Sequence, residues 1–218
     1  MARDGRGLWR SFTPNRWVGA HRRKRKMAVV SSGDEPKSVR SHRWLLAPLL
    51  LGALVSLSVG LLAREEAIAP GSYSGSYFRL FFSDSLHLKV WFATAALALA
   101  LLQVGSASWM YRKLPWRRPT WITPFHHWTG RLFFVTTLPV AYHCIFKLGF
   151  QHTDGRVLAH SFIGCAVYGA FAAKVLIVRL HRFPNWVLPA AGGLVFTLLL
   201  AVWSTSALWL FRSTGVSL

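Results

Sequence analysis

The sequence predicts an all-α membrane protein with five transmembrane helices, and three observations carry that prediction. Of the 218 residues, 53% are hydrophobic and only 15% are charged. Several apolar runs reach the roughly 18–20 residues that a helix needs to cross a bilayer. Lipid cannot satisfy open backbone N–H and C=O groups, so these runs are expected to be helices. The predicted spans are residues 44–63, 86–111, 124–148, 157–180 and 186–211.

Residues 1–43, which precede the first span, differ from the rest of the chain in composition. They contain twelve Lys or Arg against three acidic residues, and Gly, Pro and Ser interrupt them. Such a composition is typical of disordered segments. We therefore expect three parts: a basic, disordered tail (1–43), an anchor helix (44–63) and a four-helix core (86–211).

The net charge of +19 is distributed as in a membrane protein. Outside the tail, the basic residues gather in alternate loops, after Tyr111 and after Leu180. No nucleic-acid recognition module accompanies the charge, so we expect membrane lipid and no nucleic acid as a partner. Positive loops favour the cytoplasmic side. The sequence therefore predicts a plasma-membrane protein with a cytoplasmic N-terminus and an extracytoplasmic C-terminus.

A short polar turn, residues 149–155, joins the third and fourth predicted spans, and a histidine lies on each side of it. His143 and His160 are each predicted to lie about 6–9 Å below the outer membrane boundary, at 1.5 Å per residue. Ionisable side chains at that depth are costly and tend to mark function. Lys147 and Arg156 lie four residues from these histidines, on the same helical faces and one turn nearer the surface.

This pattern suits a haem b site. Two neutral imidazoles, from His143 and His160, would bind the iron from opposite faces while the two cations meet the propionates. Gly164, one turn after His160, would let the porphyrin approach the backbone. His87, at the outer start of the second span, is a further candidate ligand. In the alternative interpretation, the histidines exchange hydrogen bonds between two helices and the cations only anchor the interface.

A second candidate set lies at the inner end of the third span. His127 is followed by Gly130 and Arg131, which would serve as a packing glycine and as a cation for a propionate. His127 and His143 are 16 residues apart, which places them roughly 160° out of phase on a straight helix. The two histidines therefore do not share one helical face. A second haem remains only an alternative to the one-haem prediction. Other cofactor chemistry has no motif, because GxGxxG, GxxxxGK[ST] and HExxH are all missing from the sequence.

Three stretches resemble the transmembrane cytochrome b561 and ferric-reductase-like group: HHWTGR (126–131), LPVAYHC (138–144) and RVLAHSFIGCAVYG (156–169). The resemblance covers about residues 86–211 and implies a four-helix, b-type cytochrome-like core that holds one or two b haems. It implies His143 and His160 as ligands, with His127 and His87 as further candidates. The chain departs from the group's pattern, since aligned ligand pairs on one helix are missing and no flavin- or NADPH-binding domain is fused.

We therefore expect an integral membrane b-type cytochrome-like protein that transfers electrons through haem b. Its electrons would be exchanged with a quinone or a redox partner protein, so it would act as a component of a membrane oxidoreductase. The competing function is a cofactor-free accessory subunit that stabilises a larger membrane complex. A transporter is disfavoured, because the sequence has no internal repeat and no acidic residue inside a predicted span.

Overall fold

The computed structural model describes residues 37–65, 78 and 80–214, and the regular structure within them is entirely helical. Four of the described helices are long and apolar enough to cross a membrane. The prediction of an all-α, multi-pass membrane protein in contact with lipid is confirmed at this level. The apolar segments of these helices are Leu46–Ala63, Ser85–Met110, Gly155–Leu180 and Val187–Ser213.

Six α-helices and two π-helical segments make up this part of the chain. The α-helices are α1 (Lys37–Glu65), α2 (Ser85–Met110), α3 (Ile122–Tyr142), α4 (Gly155–Leu180), α5 (Val187–Trp203) and α6 (Trp209–Thr214). The π-helical segments, π1 (His143–Leu148) and π2 (Ser204–Leu208), continue α3 and α5 without a break.

Two of the predicted segments differ in extent from the helices of the structure. Helix α1 begins at Lys37, seven residues before the predicted span, so residues 37–43 of the tail that was expected to be disordered (1–43) are helical. The rest of that tail, residues 1–36, lies outside the described residues. Helix α3 together with π1 matches the third predicted span in position. It is not among the four helices that are apolar enough to cross a membrane, and its first three turns carry His126, His127 and Arg131.

Helix α1 packs directly against α4 at a pair of glycines. A Cβ added at Gly169 would overlap Ser56 Oγ and the carbonyl oxygen of Gly52, and a Cβ at Gly52 would lie 2.9 Å from the carbonyl oxygen of Gly169. Small residues allow two backbones to approach this closely in a membrane, where packing rather than the hydrophobic effect joins helices. A backbone hydrogen bond also links the end of α1 to the loop before α4, because Phe150 N–H donates to Ala63 O at 2.9 Å.

Helices α2, α3 and α5 form the buried centre of the bundle. Its fully buried members include Ala96 and Ala100 from α2, Phe133 from α3 and Leu199 from α5. The alanines leave room for the larger side chains of the neighbouring helices. A hydrogen bond from Trp203 Nε1 to Thr94 Oγ1, at 3.1 Å, joins α5 to α2 just beyond this centre.

The exchange Gly169→Ala tests the α1–α4 crossing. We expect it to lower the free energy of unfolding in detergent by about 1–3 kcal/mol, because the added methyl group meets backbone that cannot rotate away. Thermal unfolding followed by tryptophan fluorescence measures the change. Gly105→Ala is the matched control, since a Cβ there has nothing within 4 Å. Equal effects of the two exchanges would contradict the close crossing.

Candidate functional site

A cavity of about 330 Å³ lies between the helices, at the end of the bundle where α2 and α4 begin and α3 and α5 pass into π1 and π2. We call this end the cavity end. The volume is within the range of about 300–1,000 Å³ that is usual for small-molecule sites. The lining is mainly apolar, and none of the described residues that line it is acidic. The lining residues with polar or ionisable side chains are Lys89, Thr137, Cys144, Gln151, Arg156, His160, Ser161, Cys165, Tyr168, Thr205 and Ser206.

His160 contributes its imidazole to this lining. Its Nδ1 lies 3.1 Å from Thr205 Oγ1 in π2. The Thr205 hydroxyl also lies 3.1 Å from Ala201 O and 3.0 Å from Val202 O, the carbonyl oxygens to which it can donate. When it donates to one of them, Thr205 Oγ1 accepts from His160 Nδ1–H, and Nε2 of the neutral ring then carries the lone pair. In that tautomer the histidine is suited to bind a metal or to accept a proton.

Arg156 lies at the mouth of the cavity and is held in place by π2 and α6. Its guanidinium donates to Thr205 O at 2.8 Å and lies 4.0 Å from the centre of the Trp209 ring. Asp154, at the start of α4, is 3.8 Å away. Lys89 from α2 supplies a second cation to the same lining. The cavity therefore combines apolar walls with one histidine and two basic side chains.

His143 does not share this cavity. Its side chain is fully buried, and its Nε2 lies 3.0 Å from the carbonyl oxygen of Phe78. It is not among the lining residues, and neither is Lys147, whose ammonium lies 5.7 Å from the centre of the Tyr142 ring. The structure thus keeps His160 and Arg156 together at the cavity and turns His143 and Lys147 to other partners.

The two glycines of the predicted haem sites have different surroundings. Gly164 lines the cavity, and a Cβ there would meet only Val202 Cγ2, at 3.9 Å. Gly130 packs against the side chain of Gln103, whose Oε1 would lie 3.2 Å from an added Cβ. Gly164 is therefore placed next to the space that a ligand would use, whereas Gly130 serves the contact between α2 and α3.

His87 belongs to the start of α2 and is not a lining residue of the cavity. Asp84 caps this helix, and its carboxylate accepts hydrogen bonds from the backbone N–H groups of Leu86 and His87, both at 2.8 Å. Its second oxygen lies 2.8 Å from His87 Nδ1. These contacts, chiefly the backbone hydrogen bond from His87, hold the pKa of Asp84 below its usual value. His87 therefore completes a helix cap.

At the opposite end of the bundle, His126 takes part in a hydrogen-bond network between α2 and α3. The Ser106 hydroxyl lies 2.7 Å from Leu102 O and 2.7 Å from His126 Nδ1, within hydrogen-bond distance of both. Gln103 donates to His126 O and to Thr129 Oγ1, both at 2.6 Å. This network satisfies polar groups of both helices and joins them.

The predicted inner site does not assemble around His127. This residue is exposed, and so is Arg131, whose guanidinium lies 4.8 Å from the centre of the Trp128 ring. Across the part of the chain that the structure describes, no three His, Cys, Asp or Glu side chains come together as a metal site.

Sequence reasoning missed Thr205 and Lys89 as members of the site. Thr205 is 45 residues from His160 along the chain, so only the tertiary structure brings the two together. Lys89 lies three residues inside a predicted span. An ionisable side chain inside a span tends to mark a functional site, so this position could have indicated Lys89. Neither residue belongs to a recognisable motif.

Comparison with known proteins assigns a family but no activity. The model of a family of unknown function (DUF6529) matches residues 45–218. No curated protein and no solved structure matches the chain. The resemblance to the cytochrome b561 and ferric-reductase-like group therefore stays a prediction.

Removal of the helix cap by Asp84→Ala should lower the free energy of unfolding by about 1 kcal/mol at neutral pH. The Asp84 pKa is lower in the folded than in the unfolded chain, so its stabilisation is fully present above about pH 3.9. It is lost as the pH falls through the lower folded pKa. Thermal unfolding over a pH series measures the difference between the two proteins.

The exchange Asp84→Asn is the control, because an amide oxygen can still cap the helix but does not titrate. The difference between wild type and Asp84→Ala should shrink below about pH 4. A difference that stays constant down to pH 2 would show that the carboxylate is not the stabilising group.

Proposed function

This chain belongs to the family of unknown function DUF6529, and we propose that it is an integral membrane b-type cytochrome-like protein. It binds one haem b through His160 and transfers electrons near the extracytoplasmic surface. The observation that carries the proposal is the position of His160 in the lining of an apolar cavity, with its Nδ1 3.1 Å from Thr205 Oγ1; the tautomer protonated at Nδ1 would offer its Nε2 lone pair to iron.

The residues around the cavity fit the chemistry of haem b. The apolar walls suit a porphyrin, Gly164 leaves room beside the backbone, and Arg156 and Lys89 are the cations of the lining that would face the propionates. Thr205 fixes the orientation of His160, as residues behind a metal-bound histidine usually do. Bound haem would supply a reversible one-electron carrier.

We propose one protein ligand to the haem iron, whereas the sequence predicts two. The position of His143 is the reason. Its Nε2 already contacts Phe78 O, and its side chain does not line the cavity. A second haem has no support at the opposite end, where His126 bonds to Ser106 and His127 is exposed. The proposal therefore concerns one haem.

The orientation in the membrane completes the proposal. We take α3 with π1 as a fifth span, so that basic loops lie at one end of the bundle and the cavity at the other. The loop between α2 and α3 carries Arg112, Lys113, Arg117 and Arg118, and such loops favour the cytoplasm. The N-terminus is then cytoplasmic, the C-terminus extracytoplasmic, and the cavity faces the outer side of the plasma membrane. A quinone or a redox partner protein exchanges electrons with the site.

A cofactor-free accessory subunit is the second candidate, and one observation favours it. Polar groups at the cavity already pair with one another: His160 and Arg156 with Thr205, and Tyr168 with Thr137 O. Among the described residues, no buried side-chain nitrogen or oxygen lacks a hydrogen-bond partner. Such a bundle is complete without a ligand and could serve to stabilise a larger complex.

The absorption spectrum of the full chain, purified after expression with haem supplied, tests the proposal. We expect a Soret band and a reduced-minus-oxidised difference spectrum. His160→Gly should lose most of the haem, because the ligand to iron is removed, and added imidazole should restore the band by occupying the vacated space. His143→Gln is the matched control and should keep its haem, since glutamine can still donate to Phe78 O.

Two outcomes would contradict the proposal. A wild-type protein that is folded but shows no haem absorption would favour the accessory subunit. Loss of haem from a folded His143→Gln protein would restore the two-histidine site and remove the one-ligand model. Monodisperse elution in detergent establishes that each variant is folded.

A further inference from the structure

We propose that the loop between α2 and α3 binds the phosphate head group of an anionic phospholipid. The site consists of Arg112, Arg117 and Arg118 with Trp116, at the opposite end of the bundle from the cavity. It does not depend on haem or on electron transfer.

The site contains three arginines. Arg112, Arg117 and Arg118 are all exposed and line one concavity of about 450 Å³, together with Leu114, Pro115 and Trp116. The loop between the two helices contains no acidic residue that would neutralise them. Guanidinium groups bind phosphate oxygens in a bidentate manner, so a group of three is suited to a phosphate.

Tryptophan packing and hydrogen bonds support the conformation of the loop. Trp109, at the end of α2, contacts Trp116 edge-on at 5.9 Å and Trp121 at 5.8 Å between ring centres. Its indole N–H donates to the carbonyl oxygen of Arg117 at 3.2 Å. Arg118 is oriented by a hydrogen bond to Thr123 Oγ1 at 2.6 Å. A preorganised site loses less conformational entropy on binding.

The position of the loop favours a lipid over a soluble phosphate. The loop follows a helix that is long and apolar enough to cross a membrane, so it lies near the head groups. The side chains of Trp116 and Trp121 are 66% and 52% exposed. Tryptophan prefers the membrane interface, where one part of the ring is apolar and the other is hydrated. Cations beside exposed tryptophans thus match a phosphate that is attached to apolar chains.

Titration of the full chain in detergent tests this proposal. The probes are a short-chain phosphatidylglycerol, the matching phosphatidylcholine and inorganic phosphate, with binding measured by native mass spectrometry. We expect phosphatidylglycerol to bind at least about tenfold more tightly than phosphatidylcholine. The triple variant R112Q/R117Q/R118Q should lose this preference. R22Q/R23Q/R25Q removes the same charge from the N-terminal tail and should retain it.

A second pair of variants separates the site from general charge. Trp116→Ala should weaken phosphatidylglycerol binding about threefold while it leaves the charge unchanged. Trp128→Ala is its control, because Trp128 is equally exposed but does not line the concavity. Equal binding of the two lipids, equal losses in both triple variants, or equally tight binding of inorganic phosphate would each overturn the proposal.

Discussion

The hydrogen bond between His160 and Thr205 is the interaction on which the proposed haem site depends. It joins α4 to π2 and, with the Thr205 hydroxyl donating to the backbone of its own helix, favours the ring tautomer that is protonated at Nδ1. The same threonine offers its carbonyl oxygen to Arg156. One residue of π2 thus positions both the histidine and the cation at the cavity.

Both π-helical segments lie at the cavity end of the bundle. Such segments are rare and are frequently found at functional sites, because a wider turn changes where the following side chains lie. Here π1 begins at His143, which contacts Phe78 O, and π2 contains Thr205. The rest of the bundle is regular and closely packed, as the contact between Gly52 and Gly169 shows. Irregular backbone is concentrated at the cavity and tight packing lies elsewhere.

The two ends of the bundle use positive charge in different ways. At the cavity end Arg156 and Lys89 line an apolar space between helices, where each cation is partly removed from solvent. At the opposite end Arg112, Arg117 and Arg118 lie on the surface beside exposed tryptophans. The first arrangement suits a ligand that enters the bundle, and the second suits the head groups that surround it. The asymmetry also agrees with the proposed orientation, since basic surface loops favour the cytoplasm.

The sequence by itself determined the all-helical, multi-pass class, because only helices satisfy the backbone of long apolar runs in lipid. It also selected His160, Arg156 and Gly164, which do line the cavity. It could not decide which way His143 points, because in lipid both the inner and the outer faces of a helix are apolar, and composition does not fix its rotation. Only the tertiary structure, through the start of π1 and the contact with Phe78 O, directed His143 away from the cavity and brought Thr205 to His160.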